Sequence, residues 1–237
     1  MLEDVKARVA QTLDSDVMRT PPRPAPSNVW GQRYLRSYLR LRFFIGVVGI
    51  ALPFALVGGN LLAGAGVQPS ISGYYYTGMR DAFVGSLVAV GVFLVFYMVA
   101  ERNFDNYASY VAGFAVLVVA FFPTDDPSVA DDPALRVGAH YAAAVIFILA
   151  LAAISFRFGW AGRRSGDPGQ LQASGEWRLH YGCAAAIVIA VVFIVVSQLT
   201  GVLADWSILI GETVSVLAFG ASWLAKGLEL FRKPPPA

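Results

Sequence analysis

The sequence predicts an all-α, polytopic integral membrane protein with six transmembrane helices and both termini on the cytoplasmic side (N-in/C-in). Three observations carry that expectation. The chain of 237 residues is 57% hydrophobic and only 14% charged, with a mean hydropathy of +0.58, outside the range of ordinary soluble domains. Its apolar residues fall in six continuous blocks, each close to the roughly 20 helical residues that cross a ~30 Å hydrocarbon core. Its cations are asymmetric: of 18 Lys and Arg residues, 16 lie on the segments that an even number of spans places together, and only Arg80 and Arg136 lie on the other side. Cytoplasmic loops carry such an excess, so the cytoplasmic (inner) membrane is the expected location. A β-barrel would show short alternating segments instead of continuous apolar runs.

Residues 1–42 read as a cytoplasmic tail, 43–226 as the transmembrane domain and 227–237 as a second short tail. In the first tail Leu2, Val5, Val9, Leu13 and Val17 recur at three- and four-residue steps. That makes one weak apolar stripe, suited to a surface helix or to a partly disordered tail. PPRPAP at Pro21 to Pro26 is an extended linker that no helix accommodates. Trp30, Tyr34 and Tyr38 then stand four residues apart among Arg33, Arg36, Arg40 and Arg42, an aromatic face with guanidinium groups turned to anionic lipid. Directly against a membrane boundary, this pattern reads as an interfacial anchor, and nucleic acid is not an expected partner.

The spans follow as Phe43–Ala65, Ala82–Ala100, Phe104–Phe122, Val137–Phe156, Tyr181–Gly201 and Trp206–Ala225. The first holds Gly46, Gly49, Gly58 and Gly59, which permit close helix contact, and Pro53, which is expected to kink it. ERNFDN at Glu101 to Asn106 is a tight turn between the second and third spans. After FPTDDP the outer loop carries Asp125, Asp126, Asp131 and Asp132, without the spacing or glycine of a calcium loop, so a solvated acidic loop is expected. The loop from Arg157 to His180 is the longest internal connection. Cys183, the only cysteine, excludes an intrachain disulfide and reads as a small buried residue.

Chemistry-bearing residues gather at the expected outer ends. QPSISGYYYTGMRDAFVG, from Gln68 to Gly85, holds Ser70, Ser72, Tyr74, Tyr75, Tyr76, Thr77, Arg80 and Asp81; Thr124, Asp125, His140 and Glu212 fall at the same level, with little comparable at the inner ends. Glu212 lies about two turns inside the sixth span, where a carboxylate costs roughly 2–3 kcal/mol to insert and has to be paired, protonated or beside water. Glu212, Ser215, Phe219, Ser222 and Lys226 make one stripe on that helix; Asp81, Gly85, Val88 and Val92 make one on the second; His140, Ala143, Ala144 and Phe147 make one on the fourth. The candidate ligand-binding set is therefore Ser70, Ser72, Tyr75, Tyr76, Arg80, Asp81, His140, Glu212 and Ser215.

Two functional readings use this set. In the leading one it recognises a lipid headgroup or small polar ligand at the outer leaflet, with membrane lipids as partners. In the alternative, Asp81, His140 and Glu212 hold a divalent metal as cofactor, with Ser72 as a further catalytic candidate, in a hydrolase acting on a lipid or other ester. A structural or accessory subunit is the third. Under that reading Asp81 neutralises Arg80 or caps the second helix, His140 donates to a loop carbonyl, Glu212 pairs with Arg80 and the tyrosines form an aromatic belt. Neither the ligand nor the oligomeric state is fixed by the sequence.

The stretches SISGYYYTGMRDAFVG, FFPTDD, His140 at a helix start and ETVSVLAFGASWLAKG resemble a family of small bacterial six-helix integral membrane proteins, over roughly Arg42 to Gly227. That resemblance implies a fold and no activity. A more distant likeness is to the membrane hydrolases that include alkaline ceramidases and adiponectin receptors, which place a serine, an aspartate and three histidines around zinc in a seven-helix core. This chain has six apolar blocks, one histidine at the relevant level and Glu212 where a histidine pair would stand.

Overall fold

A computed structural model describes residues 29–96, 104–126, 134–164 and 176–228. Among them are six α-helices and one short 3-10 helix: α1 (Val29–Leu62), the 3-10 turn (Ser72–Tyr76), α2 (Arg80–Phe96), α3 (Phe104–Phe121), α4 (Ala134–Arg164), α5 (Glu176–Thr200) and α6 (Ala204–Leu228). The stripe of residues 2–17, the 21–26 linker, most of the acidic loop, the centre of the Arg157–His180 loop and the end of the C-terminal tail lie outside the described residues.

Four helices carry segments long and apolar enough to cross a membrane: Arg40–Leu62, Ala134–Ala161, Trp177–Thr200 and Ala204–Leu228. α2 is described over 17 residues and the apolar part of α3 is Asn106–Phe121. The outward faces are as apolar as the core, with Phe54 64%, Phe114 60% and Ile189 67% exposed. Water would penalise such a surface, whereas lipid does not.

The helices run up and down in a closed ring in which each packs on its chain neighbours and α6 returns to α1. Glycine sets the spacing of that closing seam. A Cβ on Gly46 would stand 2.5 Å from the Leu224 backbone nitrogen, and one on Gly220 would stand 2.8 Å from that of Ile50. Pro53 is buried inside α1, and the helix continues through it to Leu62.

Helix ends follow local chemistry. Gly64, at φ +78°, ends α1 in a Schellman motif, with Ala65 N–H donating to Asn60 C=O and Gly64 N–H to Leu61 C=O, both at 3.0 Å. Asn60 Nδ2 adds a bond to Gly66 C=O at 2.6 Å. α5 ends where the N–H of Gly201 (φ +77°) bonds Ser197 C=O at 2.9 Å. Gln198 Nε2 spans the short link to α6, donating to Ala204 C=O at 2.8 Å and Ser207 Oγ at 2.9 Å.

We call the end that carries residues 63–79 upper and the opposite end lower. Between them Trp223, fully buried, meets Phe93, Phe158 and Phe219 with ring centroids 5.5, 5.6 and 5.5 Å apart. These aromatic contacts form the middle layer of the core.

Arg42 is fully buried rather than turned to lipid headgroups, and its guanidinium lies 5.5 Å from the centre of the Phe158 ring. Because α1 is one helix from Val29, Arg42 shares the inward face set by Ile45 and Gly46.

The α1–α6 seam makes a direct prediction. Gly46→Val is expected to cost about 1–3 kcal/mol through overpacking and to lower the melting temperature. Gly58→Ala, where a Cβ meets nothing within 4 Å, is expected to be neutral or slightly stabilising. Equal melting temperatures for the two variants would contradict the seam.

Candidate functional site

The site is built by a loop folded back onto a helix. Ser70 Oγ accepts from Gly73 N–H at 2.9 Å, turning the chain into the 3-10 helix Ser72–Tyr76. Tyr74, fully buried, anchors that turn, and its hydroxyl accepts from Gln68 N–H at 3.4 Å. Thr77 then starts α2: its hydroxyl donates to Tyr74 C=O at 2.9 Å and accepts from Met79 N–H at 3.1 Å. Thr77 thus does the capping expected of Asp81, which is exposed in the first turn of α2, where its charge suits the helix dipole.

Two bonds stitch this loop to α6. Leu209 N–H donates to Pro69 C=O at 3.0 Å, and Glu212 Oε2 accepts from Ile71 N–H at 2.6 Å. The N–H and hydroxyl of Ser72 also approach the Glu212 carboxylate. Glu212 therefore caps the 3-10 turn from a helix 141 residues away in sequence. The expected Glu212–Arg80 pair does not form: Arg80 donates to the Tyr75 hydroxyl at 2.5 Å and lies 4.3 Å from the centre of that ring.

A second network closes the upper rim. The Tyr76 hydroxyl donates to Thr124 C=O at 2.7 Å, Thr124 Oγ1 to the Tyr141 hydroxyl at 3.2 Å, and Tyr141 to Asp125 Oδ2 at 3.1 Å. His140 is buried at the start of α4, with Nδ1 2.7 Å from Phe122 C=O. Since a carbonyl only accepts, this nitrogen carries the proton and donates. Tyr75 and Tyr76 contact each other edge to face, centroids 5.1 Å apart, and both hydroxyls serve the fold.

Below the loop lies a partly enclosed cavity of about 70 Å³. Its walls come from Val48 and Leu52 of α1, Phe83 and Leu87 of α2, Val116 of α3, Ala144 and Phe147 of α4, and Val216 and Phe219 of α6. Ser72 and Glu212 supply its polar end. Of the nine sequence-predicted binding residues, the structure brings these two to the cavity.

The others are placed elsewhere. Ser70, Tyr75, Tyr76 and Arg80 build the loop, and Ser215 is buried with its hydroxyl bonded to Gly211 C=O at 2.8 Å. Among the described residues no three His, Cys, Asp or Glu side chains gather where they could hold one metal ion, so Asp81, His140 and Glu212 do not form the expected ligand set. The α2 stripe explains part of this: Asp81, Gly85 and Val92 are exposed, while Phe83, Leu87, Val90 and Leu94 face the core.

The lower end holds a polar layer that sequence reasoning missed. Arg42, Asn106, Ser109, Ser155, Arg157, His180, Ser222 and Lys226 are all buried there. His180 Nδ1 lies 2.8 Å from Ser222 Oγ, and the His180 ring stacks edge to face on Phe158 at 5.4 Å. Ser222 and Lys226 on the α6 stripe were the available signal. Counting these arginines only as topology markers hid the rest. Cys183 is buried beside the Ser222 backbone.

Comparison with protein-family models, with curated proteins and with solved structures returned no match.

The Glu212 clamp predicts a graded loss of stability. Glu212→Ala strands the Ile71 and Ser72 donors and is expected to cost on the order of 2–3 kcal/mol. Glu212→Gln keeps a carbonyl acceptor in place and is expected to lose less. Thermal melts in one detergent check the order Ala below Gln below wild type; an unchanged Ala variant would contradict the clamp.

Proposed function

We propose that this chain is a six-span protein of the cytoplasmic membrane with both termini in the cytoplasm, and that its extracytoplasmic half recognises a lipid or other small amphiphilic ligand. The family resemblance and the charge asymmetry support the topology. α2 and α3 complete the ring with the four longer helices and bury their own apolar faces in it. On this orientation the upper end is extracytoplasmic.

The observation that carries the functional reading is Glu212 at the polar end of an otherwise apolar cavity. An ionisable group held at membrane depth is costly and by default marks a functional site. A pocket with apolar walls and a few convergent polar groups is the usual form of a small-molecule site. Its walls suit an apolar chain, and Glu212 with Ser72 suits a headgroup that hydrogen-bonds. The aromatic layer of Phe219 and Trp223 closes the space below, so the reading is of binding from the upper side.

Two experiments test it. Native mass spectrometry of the protein released from nanodiscs is expected to show a retained small amphiphile on the wild type that is lost in Ala144→Phe, which fills the cavity without touching the Glu212 clamp. No retained species, or equal retention in both, contradicts the reading. For the topology, a single cysteine placed by Asp131→Cys in a Cys183→Ala background is expected to react with an impermeant maleimide on intact cells. Gln170→Cys is expected to react only after lysis, and the reverse pattern would overturn the orientation.

A further inference from the structure

We propose that the ligand at this pocket carries a protonated amine: a narrow, single-chain alkylammonium whose charged head is held by Glu212. The inference rests on the amphiphile reading above and specifies the headgroup.

Charge balance is the first argument. Every group that the structure places on the Glu212 carboxylate is a neutral donor: the Ile71 N–H and the N–H and hydroxyl of Ser72. Among the described residues no Lys, Arg or His pairs with it. Of the basic side chains at the upper end, Arg80 is committed to Tyr75 and His140 to the Phe122 carbonyl. An anionic headgroup would meet the ionised carboxylate as a like charge with no cation in the cavity wall, which disfavours phosphate and carboxylate heads.

Acceptor capacity is the second. An ionised carboxylate offers about four lone-pair sites. The Ile71 N–H takes one of these sites and the donors of Ser72 lie close by, and because Glu212 also lines the cavity, an acceptor position is left for a bound donor. A single-point ammonium fits that vacancy and supplies the missing positive charge, and a charge-assisted hydrogen bond is about twice as strong as a neutral one. Phe83, Phe147 and Phe219 line the same space, and aromatic faces attract cations.

Size is the third. A cavity of about 70 Å³ is about half the ~150 Å³ of an apolar cavity that holds benzene, which admits a slender alkyl segment and disfavours a ring or a branched body. The rest of such a chain leaves through the open side of the cavity.

The test compares n-hexylamine, n-hexanol and n-hexanoate as probes on the full chain in phosphatidylcholine nanodiscs at pH 7, read by saturable thermal stabilisation. Hexylamine is expected to bind at least about tenfold tighter than hexanol, and hexanoate not at all. Its stabilisation is expected to vanish in Glu212→Gln and in Ala144→Phe. The second variant leaves the clamp intact, so it remains informative if the first folds poorly. Hexanol and hexylamine binding equally would overturn the amine inference and leave the amphiphile pocket standing. Stabilisation by hexylamine that persists in Ala144→Phe would show bilayer partitioning only and would overturn it too. No binding by any probe would remove both readings.

Discussion

The Glu212 carboxylate accepting the Ile71 N–H is the interaction on which the upper half of the molecule depends. Residues 63–79 contain no α-helix to satisfy their own backbone, and non-helical backbone in an apolar setting is tolerated only where partners are supplied. α6 supplies them twice, through Leu209 N–H to Pro69 and through Glu212 to Ile71, with Ser72 close beside the same carboxylate. Fixing Ile71 and Ser72 fixes the 3-10 turn, and with it Tyr76 against Thr124 and Thr77 as the start of α2. One half-buried acid therefore positions a loop, a helix start and the polar end of a cavity.

That arrangement needs α6 held close to the rest of the bundle. Apolar faces supply no preference between a helix neighbour and lipid, so packing has to come from close backbone approach. Gly46, Gly49, Gly220 and Gly227 provide it between α1 and α6, and Gly91 with Gly113 provides it between α2 and α3. The aromatic group around Trp223 then divides the interior. Above it lies the Glu212 cavity, and below it the layer of Arg42, His180, Ser222 and Lys226. A continuous polar path along α6 is interrupted at Phe219 and Trp223, which favours a binding pocket over a conduit.

Much of this was legible in the sequence, for identifiable reasons. The six apolar blocks mark the six helices, because block length and continuity are set by the helix rise. The α6 and α4 stripes turn inward as expected, since Ser215, Phe219, Ser222 and Lys226 are buried, Glu212 reaches the cavity, and His140, Ala143, Ala144 and Phe147 face the bundle. The α2 stripe was misread. In a helix that is apolar on all sides, Gly85 and Val92 look as suited to the core as Leu87 and Leu94, and periodicity cannot separate the two faces. Arg42 goes to the headgroups in the sequence for a different reason, as the last of the run Arg33, Arg36, Arg40 and Arg42 that reads as one interfacial face. Which donors Glu212 would take was also hidden, because they are backbone N–H groups of Ile71 and Ser72, and any residue carries one. A triad of Asp81, His140 and Glu212 does not assemble, because Asp81 lies exposed in the first turn of α2 and His140 is bonded to the Phe122 carbonyl.

The most direct test of this account is residue-resolved amide hydrogen exchange at Ile71, Ser72 and Thr77 in the wild type and in Glu212→Ala. The account predicts protected amides in the wild type and fast exchange at Ile71 and Ser72 in the variant, with α3 and α5 unchanged. Identical exchange in the two proteins would mean that the loop is held by something other than Glu212, and the central claim would fall.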